Sequence, residues 1–234
     1  AAKLGRYQDI IVNCLTPEMQ AVREALPKAL AENSTTFSAD SVCPTINMLN
    51  TKYFILPTQQ GGTMPLANPN AYGNAWFVGK VVYAATAREE MDMLKRIDRR
   101  NEAVVGKDFA AALGNATELR RDSADAITLT AYEPNKLTYE VSSANGGVAV
   151  LSEVYYPGWT AELDGQEIQI ARADYVLRAV KVPAGKHTLV LTFDPASLKT
   201  TEAVAYVAMA VMLLALVCAA IISLRRRKTA KVKE

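Results

Sequence analysis

Histidine is almost missing from this chain and cysteine is sparse, with one His and three Cys in 234 residues. No CxxC occurs, so a zinc or haem site would have almost no ligands, and neither a metal nor another cofactor is expected. Cys218 falls inside a long apolar run, while Cys14 and Cys43 either pair in an oxidising compartment or stay buried thiols. A basic face is lacking too. The formal charge is +2, but Arg225 to Glu234 hold six bases and one acid, so this tail carries +5 and everything before it −3. A nucleic-acid binder needs its Lys and Arg on a folded surface, so no nucleic-acid partner is expected. The first residues, Ala-Ala-Lys-Leu-Gly-Arg-Tyr, offer neither an initiator Met nor an apolar signal region.

What the chain does have is apolar residues, at 50%, enough for a proper core. From Ala203 to Leu224 run 22 residues without a charge, with Tyr206 near the start and Arg225, Arg226, Arg227 and Lys228 directly after. At about 1.5 Å per residue this helix would cross a hydrocarbon core of about 30 Å, and the basic stop marks its cytoplasmic end. Tyr206 and the four basic residues are therefore the expected membrane anchor, and residues 1–202 are expected outside the cytoplasmic (inner) membrane. Nothing within the chain would export them, so an upstream membrane portion of a longer protein is expected.

Thr16 as N-cap and Pro17 at the first helical position predict a helix carrying Met19, Val22, Leu26 and Leu30, kinked or ended at Pro27. Met48 to Leu56 reads as a buried strand before Pro57, and Gln59 to Asn70 as a loop. Ala75 to Ala84 is strongly β-prone, with Gly79 as a bulge. A capping box, Thr86 with Glu89, opens a helix with Met91, Leu94 and Ile97 on its apolar stripe, and a further helical turn from Asp108 ends at Gly114. Beyond Ala126 come seven short strand patterns: Ile127–Tyr132, Leu137–Ser142, Val148–Tyr155, Trp159–Leu163, Glu167–Ile170, Tyr175–Val182 and His187–Phe193. Their separators are turn sequences such as Asn-Gly-Gly, Pro-Gly and Asp-Gly. The expected fold is α+β: a mixed α/β lobe over 1–124, an antiparallel β-sandwich over 125–198, one C-terminal transmembrane helix over 203–224 and a basic cytoplasmic tail over 225–234.

Several motifs occur in a characteristic order: Asn47-Met-Leu-Asn-Thr-Lys-Tyr-Phe-Ile55, Gly73-Asn-Ala-Trp-Phe-Val78, Ser152-Glu-Val-Tyr-Tyr-Pro-Gly-Trp159, Asp164-Gly165 and Tyr175-Val-Leu-Arg-Ala-Val-Lys-Val-Pro-Ala-Gly-Lys-His187. Together they resemble the C-terminal region of the YfhO-type bacterial membrane protein family, in its Bacteroidetes-like form. The resemblance implies a long polytopic parent with a helical domain of the GT-C glycosyltransferase type, linked to transfer of sugars from a lipid-phosphate carrier to envelope glycopolymers. It places the catalytic carboxylate in an early loop upstream of this chain, so no catalytic residue is expected here.

Tyr155, Tyr156, Trp159 and Asp164 are candidate glycan-binding residues, because aromatic faces stack on pyranose rings and a carboxylate accepts hydroxyl hydrogen bonds. The competing reading puts the aromatics in the sandwich core and the Pro157-Gly158 and Asp164-Gly165 pairs in turns. Arg172 and Arg178 are candidate phosphate-binding residues, since guanidinium forks match phosphate oxygens, or else they pair with acids such as Glu153 and Asp174. His187 is expected to be solvated, Asn50 and Asn74 to brace loops, and Trp76 to lie in the core.

The expectation is an extracytoplasmic accessory domain and membrane anchor, non-catalytic alone, of a larger protein linked to lipid-carrier-dependent glycosyl transfer. Its expected partners are membrane lipid, the upstream polytopic domain and a lipid-linked sugar or envelope glycan. The alternative is a non-enzymatic glycan-binding or scaffolding module of the cell envelope.

Overall fold

A computed structural model describes residues 5–31, 36–37, 42–57 and 61–231. The chain opens with α1 (Gly5–Ile10), which passes through a π turn at Ile11–Leu15 into α2 (Thr16–Ala31). Helix therefore starts well before Thr16, which is no N-cap. Its N–H bonds Ile11 O five residues back, and its hydroxyl bonds the same carbonyl at 2.8 Å. Widening the helix there lets it carry Pro17, which has no N–H to donate. Pro27 does not end the helix either, which continues to Ala31. Of the expected stripe, Val22 is buried, Met19 is exposed, and Leu30's side chain lies outside the described residues.

A short α3 (Pro44–Met48) precedes β1 (Tyr53–Pro57), which pairs with β2 (Thr63–Ala67) in a two-stranded hairpin. The expected strand is shorter than 48–56 and only half buried: Phe54 points inward while Tyr53 and Ile55 are exposed. The region expected to be a loop contains β2. Gly61, at φ +81°, sits in the turn region between the two strands, so the Gly-rich composition marked the turn and hid the strand after it. Residues 58–60 of that segment lie outside the described residues.

Next come β3 (Ala75–Val78), β4 (Lys80–Ala84), α4 (Ala87–Leu94), β5 (Glu102–Gly106) and two single helical turns at Lys107–Phe109 and Ala111–Leu113. The capping box forms as expected, Glu89 N–H donating to Thr86 Oγ1 and Glu89 Oε2 accepting from Ala85 N–H. Gly114, at φ +62°, ends the last helical turn. The remaining strands are β6 (Ala126–Glu133), β7 (Lys136–Ser143), β8 (Gly147–Val154), β9 (Trp159–Leu163), β10 (Gln166–Ile168), β11 (Ala171–Ala173), β12 (Leu177–Val182) and β13 (Gly185–Phe193).

They form two sheets, β10-β9-β13-β7-β6 and β3-β8-β12-β11-β5-β4. The second sheet's edge strands, β3 and β4, are separated only by Gly79, so the sheet curls until its two edges meet at that residue, like a small barrel. Gly79 is thus a corner rather than a bulge, its N–H donating to Asn101 O at 2.7 Å. A Cβ there would stand 2.9 Å from Asn101 Oδ1, which is why the corner residue is glycine. This sheet draws strands from both sides of residue 125.

Inside the curl lie Trp76, Val78, Val105, Val150, Leu177 and Ala179, met by Ile10, Cys14, Met91 and Leu94 from the helices. Alternate residues such as Phe77, Ala149, Leu151 and Val180 are buried as well. Burial on both faces explains why these strands read as unbroken apolar runs. The two sheets meet where their edge strands β3 and β6 lie against each other.

By contact density the chain divides into residues 1–156 with 160–192, and residues 157–159 with 193–234. The second unit contains α5 (Ala196–Lys231), in which Thr200–Ile222 is a 23-residue stretch of mean hydropathy 2.7 with no buried residue. A helix that is apolar all round and covered by nothing is built for lipid. Tyr206 lies on it, exposed. The backbone of Arg225, Arg226, Arg227 and Lys228 continues the helix, and their side chains lie outside the described residues.

Candidate functional site

The densest meeting of charged and aromatic side chains draws on five segments distant in sequence. Helix α1 supplies Arg6 and Asp9, α4 supplies Glu90, β11 supplies Arg172, the turn after β5 supplies Phe109, and the residue after β8 supplies Tyr155. Glu90 follows the capping box by one residue, which turns it toward the sheet, where it is buried. Its Oε2 accepts from Arg6 Nη1 at 2.7 Å, with Arg172 Nη2 at 3.9 Å from the same oxygen. The guanidinium of Arg172 lies over the rings of Phe109, 5.0 Å from the centroid, and Tyr155, at 5.9 Å, which themselves meet edge to face. Burial depresses the Arg172 pKa, and the charge of Arg6 adds to the effect. Arg6 in turn covers the Tyr175 ring at 4.5 Å, and Tyr175 Oη donates to Asp9 Oδ2 at 2.8 Å.

Two atoms here have no protein partner although both are buried: Arg172 Nε and Glu90 Oε1. A donor and an acceptor are thus unused within one aromatic-lined cluster, the complement of a hydroxyl-bearing or water-bridged ligand. Asp9 and Asp108 offset the two arginines, so the cluster is not a strongly cationic trap. It also lacks a nucleophile beside a base, and among the described residues no group of three His, Cys, Asp or Glu could hold a metal ion.

A second acid–arginine cluster is closed. Glu18 of α2 accepts from the N–H groups of Thr45 and Ile46 at the start of α3 (2.9 and 3.0 Å), and from Arg99 Nη1 at 3.4 Å. Arg99 also bonds Thr45 Oγ1 and, through Nε, Leu94 O at 2.8 Å. Between the two clusters sits Asp174, wholly buried and at φ +47° in the turn joining β11 to β12. Its Oδ1 accepts from Val104 N–H at 2.9 Å, while Oδ2 is unpartnered. Burial raises its pKa to about 7.

The candidate glycan residues do not converge as one platform. Tyr155 belongs to the Arg172 cluster, its N–H donating to Val176 O. Tyr156 is exposed. Trp159 lies on Phe193, ring centroids 5.4 Å apart, within the unit that holds α5. Asp164, with Gly165, makes the β9–β10 turn, both residues at positive φ. Its carboxylate accepts from Thr188 N–H at 2.8 Å and meets His187 Nδ1 at 2.7 Å.

The candidate phosphate residues separate too. Arg178 is buried beside Glu153, Tyr139 and Tyr132, and its Nε donates to Val154 O at 3.1 Å, so it is an interior group unlike the half-buried Arg172. Asp174 faces Val104 rather than either arginine of the pairs first considered. Trp76 is core, edge-on to Tyr72 at 5.1 Å. Asn50 takes φ +57° with its N–H on Asn47 O, and Asn74 O accepts from Ser152 N–H. Cys14 and Cys43 are buried thiols that form no disulfide with each other. Sequence reasoning missed Arg6, Glu90 and Phe109; a Glu directly after a capping box, on the apolar stripe, was the one local signal for Glu90.

No curated protein and no solved structure matches the chain. The match that exists begins just after the last helical turn, runs through every strand from β6 to β13 and takes in the first turns of α5. Residues 115–205 match the family described as bacterial membrane protein YfhO, so that stretch is similar to YfhO-type membrane proteins.

Proposed function

We propose that this chain is a membrane-anchored accessory module of a larger YfhO-type protein, with its β-sheets outside the cytoplasmic membrane and its basic tail inside. The observation that carries the reading is α5: a 23-residue candidate span, Thr200–Ile222, with none of its apolar window buried, within an uncharged run from Ala203 to Leu224 that Arg225, Arg226, Arg227 and Lys228 follow directly. Basic residues flanking a span stay on the cytoplasmic side. The role assigned is to shape the outer approach to an upstream polytopic domain where a lipid-linked sugar or envelope glycan is handed over. Support for a non-catalytic part comes from the Arg6–Glu90–Arg172 cluster, which offers aromatic faces and hydrogen-bonding edges but no base poised beside a nucleophile.

Two experiments test this. In intact spheroplasts of cells making the full-length protein, a Lys231→Cys variant should resist an impermeant thiol reagent, and labelling would reverse the topology. Reconstituted in lipid with polyprenyl-phosphate sugars and acceptors, the chain alone should transfer nothing. Transfer lost on changing Glu153 or Asp164 would make this domain the catalyst.

A further inference from the structure

From Tyr53 through Gly79 the chain runs 27 residues without one charged side chain, in a protein that is 21% charged overall. The first half of that stretch folds as the β1–β2 hairpin, and one of its faces is left open. Tyr53 and Ile55 are 58% and 62% exposed, and Pro65, opposite Ile55 in the register, is exposed with them. Behind the hairpin, between β1 and α2, lies a groove of about 620 Å³ lined chiefly by apolar side chains, among them Met19, Leu26 and Leu56. Its lining contains one charged residue, Arg23, which is exposed, and Lys52 stands exposed where β1 begins. No acid lines it.

An uncharged hairpin with outward Tyr and Ile is a poor surface for water, and a groove with an apolar floor and a lone cation at its rim complements an amphiphile with an anionic head. The partner of that chemistry that is always present is the bilayer, because α5 tethers the domain to it. We infer that the β1–β2 hairpin and the groove behind it dock on the bilayer, acyl chains meeting Tyr53, Ile55 and Met19, and a lipid phosphate meeting Arg23. This contact is separate from α5 and from the Arg172 cluster, and rests only on α5 being a membrane span. The guanidinium and Lys52 would add an attraction to anionic headgroups that salt screens.

The test uses the full chain in nanodiscs containing phosphatidylglycerol, with lipids bearing a nitroxide quencher near the headgroup. An environment-sensitive fluorophore is placed on Ile55→Cys, with Cys218→Ser removing the exposed thiol. Thr128→Cys, exposed on β6, serves as reference, and the native Cys218, labelled alone, reports whether α5 is inserted. Quenching at position 55 should exceed that at 128 severalfold and fall when Arg23→Glu is added or when phosphatidylcholine replaces phosphatidylglycerol. Equal quenching at 55 and 128, with Cys218 quenched, would overturn the docking while leaving the span intact. Protection of position 55 from aqueous iodide without lipid quenching would also overturn it, assigning the face to a protein partner. An unquenched Cys218 would sink the membrane reading itself.

Discussion

Glu18 with Arg99 and Glu90 with Arg172 are built from the same residue types, yet one cluster is closed and the other open. Every oxygen of Glu18 is used, by two backbone N–H groups and a guanidinium, and the side chains of Glu18 and Arg99 are nearly inaccessible. Glu90 keeps one oxygen unpartnered, and Arg6, which holds the other, is about a third exposed. Satisfied buried pairs hold elements in register; an unsatisfied pair beside water keeps hydrogen-bonding capacity for something else. The difference separates a fastening from a candidate site more sharply than the count of charges does.

Breaking the fastening should give the largest effect. Glu18→Ala strands Arg99 and the N–H groups of α3, and is expected to cost roughly 3–5 kcal/mol, read as a lowered denaturant midpoint. A loss under about 1 kcal/mol would mean water enters and the pair is not closed.

Asp174 tests the interior between the clusters through pH. Its folded pKa is raised to about 7, so the folded state holds a proton that the unfolded chain releases near pH 4. Stability contributed by this group is therefore full at low pH and lost as pH rises from about 4 through 7, with a ceiling of about 4 kcal/mol. Asp174→Asn, which keeps the acceptor for Val104 and tolerates positive φ, should be the more stable protein at pH 8 and lose that slope. Equal stability of the two proteins at pH 8 would show that the carboxylate ionises without penalty.

In the open cluster Glu90→Gln is expected to cost only about 1–2 kcal/mol, because Arg6 can turn to water. A cost matching Glu18→Ala would erase the distinction between the clusters.

The smallest effect is at the β9–β10 turn. Asp164 raises the His187 pKa, and His187 with the Thr188 N–H lowers that of Asp164. The histidine's contribution is present below about pH 6.5 and lost as pH rises through its raised pKa; the aspartate's is lost as pH falls through its lowered one. The Asp164 side chain is about half exposed and that of His187 partly covered in a surface turn, so Asp164→Ala should barely move the melting temperature while the His187 NMR titration shifts to lower pH. An unmoved titration would mean that the pair does not persist in solution.

The fold was legible where its signals are local. From β6 to β13 the alternation of residues and the turn pairs lie within a few positions of each other, and seven of eight strands were readable. The eighth, β11, has three residues, Ala171-Arg172-Ala173, too few for a period to show. Strand β2 was hidden by Gly, Pro and Asn around it, and the π turn at Ile11–Leu15 by a Thr-Pro pair that ordinarily starts a helix. The site was less legible for a physical reason: Arg6 and Glu90 are 84 positions apart, and only the closed sheet brings them together. Arg172 and Tyr155 could be named as residue types suited to binding, but their shared partner Phe109 follows from tertiary packing alone.

The corner at Gly79 also governs the order in which the protein can assemble. Strand β3 must wait for β8, about 70 residues later, and β11 must reach β5 before the edges can close. Such contacts are distant along the chain, and distant contacts fold slowly because loop entropy is lost before they form. A chain emerging from its N-terminus can pair β4 with β5 early, but holds Ala75 to Val78 as an unpaired apolar strand until β8 has followed. Before β8 arrives, β3 is an exposed apolar strand with no partner, so that interval is the aggregation-prone one.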